Sequence, residues 1–390
     1  MTSARPKICI VSATPLTVQF FFKKHLLELV RNYDVTLIYN PKSDSYVHPL
    51  NIPLREIGVG IERKIAPLSD GVALYQLWRF FRREQFQGVI TLVPKAGLLG
   101  ILAAFLAGVP NRVHIFQGEV WASKTGFLRA LLKIMDGFIV RFATDVLAVS
   151  FGERQFLENE GVAPMGRIKV LGSGSICGVD TERFKPDQKI RLRMRESLNI
   201  PFGALVCVFL GRLNADKGIV ELIQAFSDLA STQKDLWLLI VGPTEADCVS
   251  ECLKKIPTDI LKRIIKKPFT REPENILKAA DFLCLPSYRE GFGMVILEAA
   301  ASGIPAIGTQ IYGVSDAIED GKTGILVPAG DVGSLASAIK RLCENKEERI
   351  CFSKAAMERV KLKFEQKKVV SAYVDYFNQV FKEQLAPKGN

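Results

Sequence analysis

Hydrophobic positions in this chain fall into short runs separated by longer stretches with helical spacing. Ile8–Ser12, Val35–Tyr39, Gly88–Leu92, Arg112–Phe116 and Val146–Ser150 are short and bounded by turn residues, and they predict strands. Between them, Phe20–Val30, Leu74–Glu84, Leu98–Ala107 and Leu128–Ala143 predict helices. The alternation then restarts. Leu205–Leu210, Trp237–Val241, Ile264–Lys267, Phe282–Leu285, Pro305–Gly308 and Gly324–Val327 read as strands, with helices beginning near Gly218, Glu245, Glu272, Met294, Val314 and Val332. Strands alternating with helices imply βα units around a parallel sheet. Two consecutive sets predict an α/β chain of two Rossmann-like domains, 1–178 and 179–365, with the junction in Cys177–Pro186. A last helical pattern runs from Lys361 to Gln384, and i,i+4 spacing puts Tyr373, Phe377 and Phe381 on one face. We expect the tail 366–386 to cross back and bury that stripe on the first domain; packing within its own domain is the alternative.

The densest chemistry follows the strand Phe282–Leu285, in P-S-Y-R-E-G-F-G-M-V-I-L-E. Pro286, Gly291 and Gly293 break the chain into a loop, and a helix follows from Met294. Strand, glycine loop and helix aim backbone N–H groups and a positive dipole end at an anionic ligand. Glu290 stands at the mouth of that loop and Glu298 about one helical turn further on. A ligand carrying both phosphates and hydroxyls, such as a nucleotide-sugar, suits the pair. The plain alternative is a capping glutamate and a solvated helix glutamate.

A similar loop follows Leu210, in G-R-L-N-A-D-K-G. Arg212 offers a planar fork and Lys217 a mobile point charge, and together beside a helix N-terminus they make a diphosphate clamp. Gly242-Pro243 turns the chain at the end of the next strand, on the edge where open α/β sheets bind ligands. Phe269, just past another strand end, either lies against a planar base or belongs to the core. In the first domain, Gln117, Gly118 and Glu119 pass the end of the strand Arg112–Phe116 toward an acceptor or the transferred sugar, whereas His114 reads as a packed strand residue. Gly172-Ser173-Gly174-Ser175 is either a phosphate loop or a hinge.

The chain's length, 390 residues, suits two domains with separate cores, and 48% hydrophobic with 24% charged residues excludes a disordered chain. The net charge of +11 favours anionic partners, but no nucleic-acid module or dense basic block stands out. Eight cysteines without a C-x-x-C set, and three histidines, argue against a metal site and for a reducing cytosol. The apolar run Gly97–Ala107 falls short of the roughly 20 residues a bilayer span needs. Leu74–Phe86 is aromatic and basic together, and residues 1–180 carry 21 Lys and Arg against 14 Asp and Glu, a balance of +7. We therefore expect Trp78–Phe81 and its arginines to meet an anionic membrane surface; a core helix with outward arginines is the other reading.

These segments resemble the retaining glycosyltransferases of the GT4 family, over almost the whole chain. The resemblance rests on G-R-L-N-x-x-K-G around Arg212 and Lys217, and on E-G-F-G followed by Glu298. It implies the GT-B fold, two Rossmann-like domains facing a cleft, and sugar transfer from a nucleotide-sugar with retained anomeric configuration and no metal or other cofactor. It implies that Arg212 and Lys217 hold the donor diphosphate, Glu290 lies by the donor sugar, Glu298 binds ribose hydroxyls, and Gly291, Phe292 and Gly293 help hold sugar and phosphate through their backbone. V-P-K-A-G-L-L-G, F-Q-G-E-V-W-A and G-S-G-S-I-C-G-V-D look like a bacterial subgroup that extends polyprenyl-diphosphate-linked glycans, including transfer of N-acetylgalactosamine to a bacillosamine-bearing undecaprenyl carrier. That subgroup implies a UDP-sugar donor, a polyprenyl-diphosphate-sugar acceptor, and a cytoplasmic monomer or weak dimer attached peripherally to the inner face of a bacterial cell membrane. Two positions depart from the wider family: the loop Ser12–Thr17 lacks a double glycine, and Gln117 replaces a histidine before Gly118. The rival readings are a UDP-sugar transferase with another acceptor, a GT-B epimerase, and a nucleotide-sugar-binding scaffold.

Overall fold

The computed structural model describes residues 5–42, 50–62, 65–245 and 248–382. Two all-parallel sheets organise the chain. The first contains β1 (Lys7–Ser12), β2 (Asp34–Tyr39), β3 (Arg55–Gly58), β4 (Gly88–Leu92), β5 (Asn111–Phe116), β6 (Asp145–Ala148) and β7 (Ile168–Lys169), in the order β3-β2-β1-β4-β5-β6-β7. The second contains β8 (Leu205–Leu210), β9 (Leu236–Val241), β10 (Ile264–Lys267), β11 (Phe282–Leu285), β12 (Ala306–Thr309) and β13 (Gly324–Val327), in the order β10-β9-β8-β11-β12-β13. Helices cover the sheets, so central strands such as β4 and β11 are buried at every position. That explains their continuous apolar runs.

The chain divides into two compact units, Met1–Cys177 with Lys367–Asn390, and Gly178–Gln366. This is the GT-B architecture of two Rossmann-like domains. The final helix, Gln366–Lys382, belongs to the first unit, so its aromatic stripe crosses back as expected; residues 383–386 of the expected tail lie outside the described residues. Tyr373, Phe377 and Phe381 are buried. Phe377 meets Phe22, His25 stands edge-on to Tyr373, and Tyr33 stands edge-on to Phe381 while donating from its hydroxyl to Asn378 Oδ1 at 2.8 Å. Tyr376 donates to Asp145 Oδ1 at 2.6 Å. A wide turn at Val360–Phe364 and an extended Glu365 break the pattern before this helix.

Several element boundaries differ from the periodicity. The helix expected at Phe20–Val30 is a short turn at Pro15–Thr17, a π-turn at Val18–Phe22 and a helix at Lys23–Asn32. The helix expected from Leu74 starts at Pro67, whose fixed φ suits a first helical turn. The edge strands β3 and β7 are short and carry charge, so they left no apolar run to read. The helix expected near Glu245 is present from Cys248.

Gly88 on β4 reports on the docking of the last helix, because a Cβ there would overlap the Phe381 ring. We expect Gly88→Ala to cost about 2 kcal/mol, the usual range for overpacking a core. In a Phe381→Leu background the same change should cost measurably less, because the clash is relieved. Urea unfolding of the four proteins checks this; full additivity would contradict the packing.

Candidate functional site

In the second sheet the chain runs from β8 outward to β9 and β10, then returns to β11 on the other side of β8. Order reversal leaves a crevice at the carboxyl ends of β8 and β11, the place where open parallel sheets take ligands. The loops from these two strands meet at backbone contact. Gly218 has φ +65°, and any Cβ there would overlap the Pro286 carbonyl, so this position requires glycine twice over. Tyr288 N donates to Asp216 O at 2.9 Å, and Arg289 pairs with Asp216 at 3.4 Å.

These contacts carry Lys217 to Glu290. Lys217 Nζ forms a close ion pair with Glu290 Oε1, and Ser287 Oγ donates to the same oxygen at 3.0 Å. Ser287 is buried, and Thr309 Oγ1 donates to its carbonyl. The side chains of Lys217 and Glu290 are only 15% and 14% exposed, so a pair here is shielded far more than one on the open surface. Arg212 sits in the same loop but faces another carboxylate. Its Nη1 donates to Glu245 Oε1 and Oε2 at 3.1 and 2.9 Å, and Asn214 Nδ2 donates to Oε2 at 2.7 Å. The loops after β8 and β9 are themselves joined, Leu213 N donating to Pro243 O at 2.9 Å. Each cation of the expected diphosphate clamp is thus matched by one carboxylate.

Gly293, with φ +74°, opens the helix Met294–Ala301 as its N-cap residue and brings no capping side chain of its own. Glu298 lies one turn inside. Burial pushes its carboxyl up to about 7, with Arg183 pulling it down and Glu274 pushing it further up. Arg183 and Glu274 pair with each other at 2.7 Å. Phe292 is a core residue, 3% exposed and edge-on to Phe364 at 5.4 Å, which leaves its backbone alone to face a ligand. Phe269 follows β10 at the same sheet edge, with β9 and β8 between it and β11.

In the first unit, β5 ends at Phe116 and delivers Gln117 and Gly118 to the carboxyl edge of its own sheet. Among the described residues, Gln117 Nε2 is a buried donor without a partner in the chain. His114 is fully buried, its Nδ1 lies 2.8 Å from Thr91 Oγ1, and burial pushes its imidazole down to about 3; it is a packed strand residue. Glu153 anchors the Gln117 loop from below. Its two carboxyl oxygens accept from Gly118 N and from Val149 N, the latter at 2.8 Å. Burial, then the neighbouring Glu119, hold Glu153 well above the usual carboxylate range. Asp136 is raised to about 7 by burial, partly offset by Trp121 Nε1 donating at 2.6 Å. Ser175, in the Gly172–Ser175 loop, is buried at φ +71° and donates from its N–H to Val149 O at 2.6 Å.

Sequence reasoning missed Glu245, Glu153 and Asp136. Glu245 had a usable signal, because it stands two residues beyond the Gly242-Pro243 turn on the ligand-binding edge. Glu153 had one too: S-F-G-E from Ser150 has capping-box spacing, and Ser150 Oγ does accept from Glu153 N at 3.0 Å. Asp136 had none, sitting mid-helix in an apolar run. No group of three or more His, Cys, Asp or Glu is placed to hold a metal ion among the described residues.

Two family models cover most of the chain: "Glycosyl transferases group 1" over residues 191–359, and "Glycosyl transferase 4-like domain" over residues 27–174. The capsular polysaccharide biosynthesis glycosyltransferase CapM of Staphylococcus aureus is 30% identical, across 83% of this chain and 85% of that protein. The UDP-Gal:alpha-D-GlcNAc-diphosphoundecaprenol alpha-1,3-galactosyltransferase of Escherichia coli is 27% identical across 73% of each. Among solved structures, Anabaena HepE in complex with UDP and glucose superposes with a TM-score of 0.78 at 19% identity, covering 96% of this chain and all of that one (100%). With its two parallel sheets, its returning helix and this kinship along its length, the chain belongs to the group 1 glycosyl transferases and is a glycosyltransferase of GT-B fold.

Proposed function

We propose that this enzyme transfers a sugar, an N-acetylhexosamine, from a UDP-sugar to a polyprenyl-diphosphate-linked sugar, with retention of anomeric configuration and without a metal. The observation that carries the reading is the Lys217–Glu290 pair at the β8/β11 crevice, with Arg212 on the same loop paired to Glu245 beside it. The named activity of the E. coli relative supports a UDP-sugar donor and a lipid diphosphate acceptor, and the UDP-bound HepE structure supports the nucleotide. In this reading the second unit holds the donor and the first holds the acceptor.

The donor diphosphate exchanges for carboxylates. As it enters, Lys217 passes from Glu290 to phosphate oxygen and Arg212 passes from Glu245. The released Glu290 is then an acceptor for sugar hydroxyls, and Ser287 keeps its carboxylate oriented. As the bond from the anomeric carbon to the β-phosphate oxygen breaks, negative charge grows on that oxygen, beside the two cations and the positive end of the helix Met294–Ala301. The acceptor hydroxyl attacks from the face the phosphate leaves, and the departing phosphate oxygen takes its proton. Gln117 Nε2 supplies a buried donor to the acceptor or the transferred sugar. Glu298 accepts from ribose hydroxyls and Phe269 lies against the base.

Three outcomes follow. Arg212→Ala and Lys217→Ala should each lower kcat/KM about 100-fold, or about 3 kcal/mol, in a protein that still folds. Steady-state kinetics decide, and a loss below about threefold for both would remove the clamp. Excess chelator should leave most of the activity; its abolition, reversed by magnesium or manganese, would refute metal independence. The third outcome concerns pH. Glu298 titrates near 7 rather than in the usual range of about 4.5, so the folded enzyme holds this proton more tightly than the unfolded chain and loses stability as pH rises between those values. Ribose hydroxyls donate to the ionised form. UDP-sugar affinity should therefore rise between about pH 6 and about pH 8 in the wild type and stay flat in Glu298→Gln, as titration calorimetry would measure.

A further inference from the structure

The helix Gly126–Phe142 exposes the face that a globular protein ordinarily hides. Phe127, Leu131, Ile134 and Phe138 follow one another at i+4, i+3 and i+4 and so share one side. Phe127 is 82% exposed, Ile134 57% and Phe138 50%. The opposite side holds Asp136, Ile139 and Val140, all buried. The stripe continues past Phe142, which stacks with Phe138 and meets Phe105 at 4.7 Å, itself exposed at the end of the helix Pro94–Leu106. Isolated exposed apolar residues are ordinary, but a continuous run at helical spacing marks a contact surface. Its charge is one-sided. From Val120 to Phe142 the chain carries Lys124, Arg129, Lys133 and Arg141, and its single carboxylate, Asp136, is buried. Arg129 and Lys133 pair with Glu160; Lys124 and Arg141 are exposed.

We infer that this helix face is the surface by which the enzyme lies on an anionic lipid bilayer. The inference rests on the proposed lipid-linked acceptor and gives its membrane a specific contact. Apolar side chains enter the acyl boundary while the cations meet anionic headgroups. A second copy of the chain on the same face would bring cation against cation. No described helix is long and apolar enough to cross the membrane, so the contact is peripheral. The helix singled out in the sequence, Pro67–Glu84, exposes Leu68, Val72 and Tyr75 beside Arg79, Arg82 and Arg83 and is a second candidate, but most of its aromatics are turned to the core. Leu77 and Phe81 are buried, Trp78 and Phe80 pack against the same core, and Arg55 and Arg83 lie over the Phe80 ring at 5.2 and 5.5 Å.

Flotation of the full chain with phosphatidylglycerol–phosphatidylcholine vesicles tests this, with phosphatidylcholine alone as reference. The wild type should float with the anionic vesicles. Joint Phe127→Ser, Ile134→Ser and Phe138→Ser should reduce the bound fraction about tenfold or more, whereas joint Arg79→Glu, Arg82→Glu and Arg83→Glu should reduce it less. Phe127→Glu alone, at the most exposed position of the stripe, serves if the triple variant fails to fold. Absent flotation of the wild type overturns the inference, as does equal flotation of the stripe variants. So does a stripe variant that converts a dimer to a monomer without changing flotation. Transfer to a short-chain, detergent-dispersed acceptor should be unchanged in the stripe variants. Failure of the wild type in that assay would strike the proposed activity, leaving the membrane contact standing.

Discussion

The candidate donor site depends on a backbone contact with no room for a side chain. Where the order of the second sheet reverses, the loops leaving β8 and β11 touch at Gly218 and Pro286. A Cβ at Gly218 would push the loops apart, and its positive φ would be strained as well. Because the contact is closed, Lys217 meets Glu290 although 73 positions of sequence separate them. Gly313 repeats the device on the other side, where a Cβ would press into the carbonyls of Glu290 and Gly291. Glycine loops can serve as phosphate cradles, but two of these positions are glycine first because the loops must pack.

The electrostatic consequence is a site that balances its own charge. A buried cation without a counter-charge is costly, and Lys217, mostly enclosed, has Glu290 to offset it. Arg212 is more open and its pairing with Glu245 correspondingly weaker. On the proposed function, an incoming diphosphate would replace these carboxylates rather than fill an empty positive pocket. Such an exchange would be favoured because a diphosphate brings more charge and more acceptor oxygens than the carboxylates it displaces. It would also release Glu290 beside the position proposed for the sugar, linking donor binding to sugar orientation.

Much of this was legible in the sequence, for physical reasons that differ by element. Strands buried on both faces write continuous apolar runs, so β1, β4, β8 and β11 could be read directly. The stripe of Tyr373, Phe377 and Phe381 implied a partner surface and found one. Charged edge strands such as β3 carry no such signal. Arg212, Lys217, Glu290 and Glu298 were visible as residues, but the pairs Lys217–Glu290 and Arg212–Glu245 were not, because ion pairs between loops depend on register that no local pattern records. The aromatic-basic segment 74–86 was ambiguous because sequence cannot say which side of an amphipathic helix meets the core. In the structure its aromatics largely pack inward. The segment Leu128–Ala143 read only as a helix between two strands, and no local pattern told that Phe127 and Phe138 would stand exposed.

The central claim is that Lys217 and Arg212 leave their carboxylates to hold a donor diphosphate at the β8/β11 crevice. A crystal structure of the enzyme with UDP bound tests it most directly. Phosphate oxygens should then lie within hydrogen-bonding distance of Lys217 Nζ and the Arg212 guanidinium, with the Lys217–Glu290 pair opened. UDP bound elsewhere, or at the crevice with that pair intact and both cations turned away from the phosphates, would contradict it.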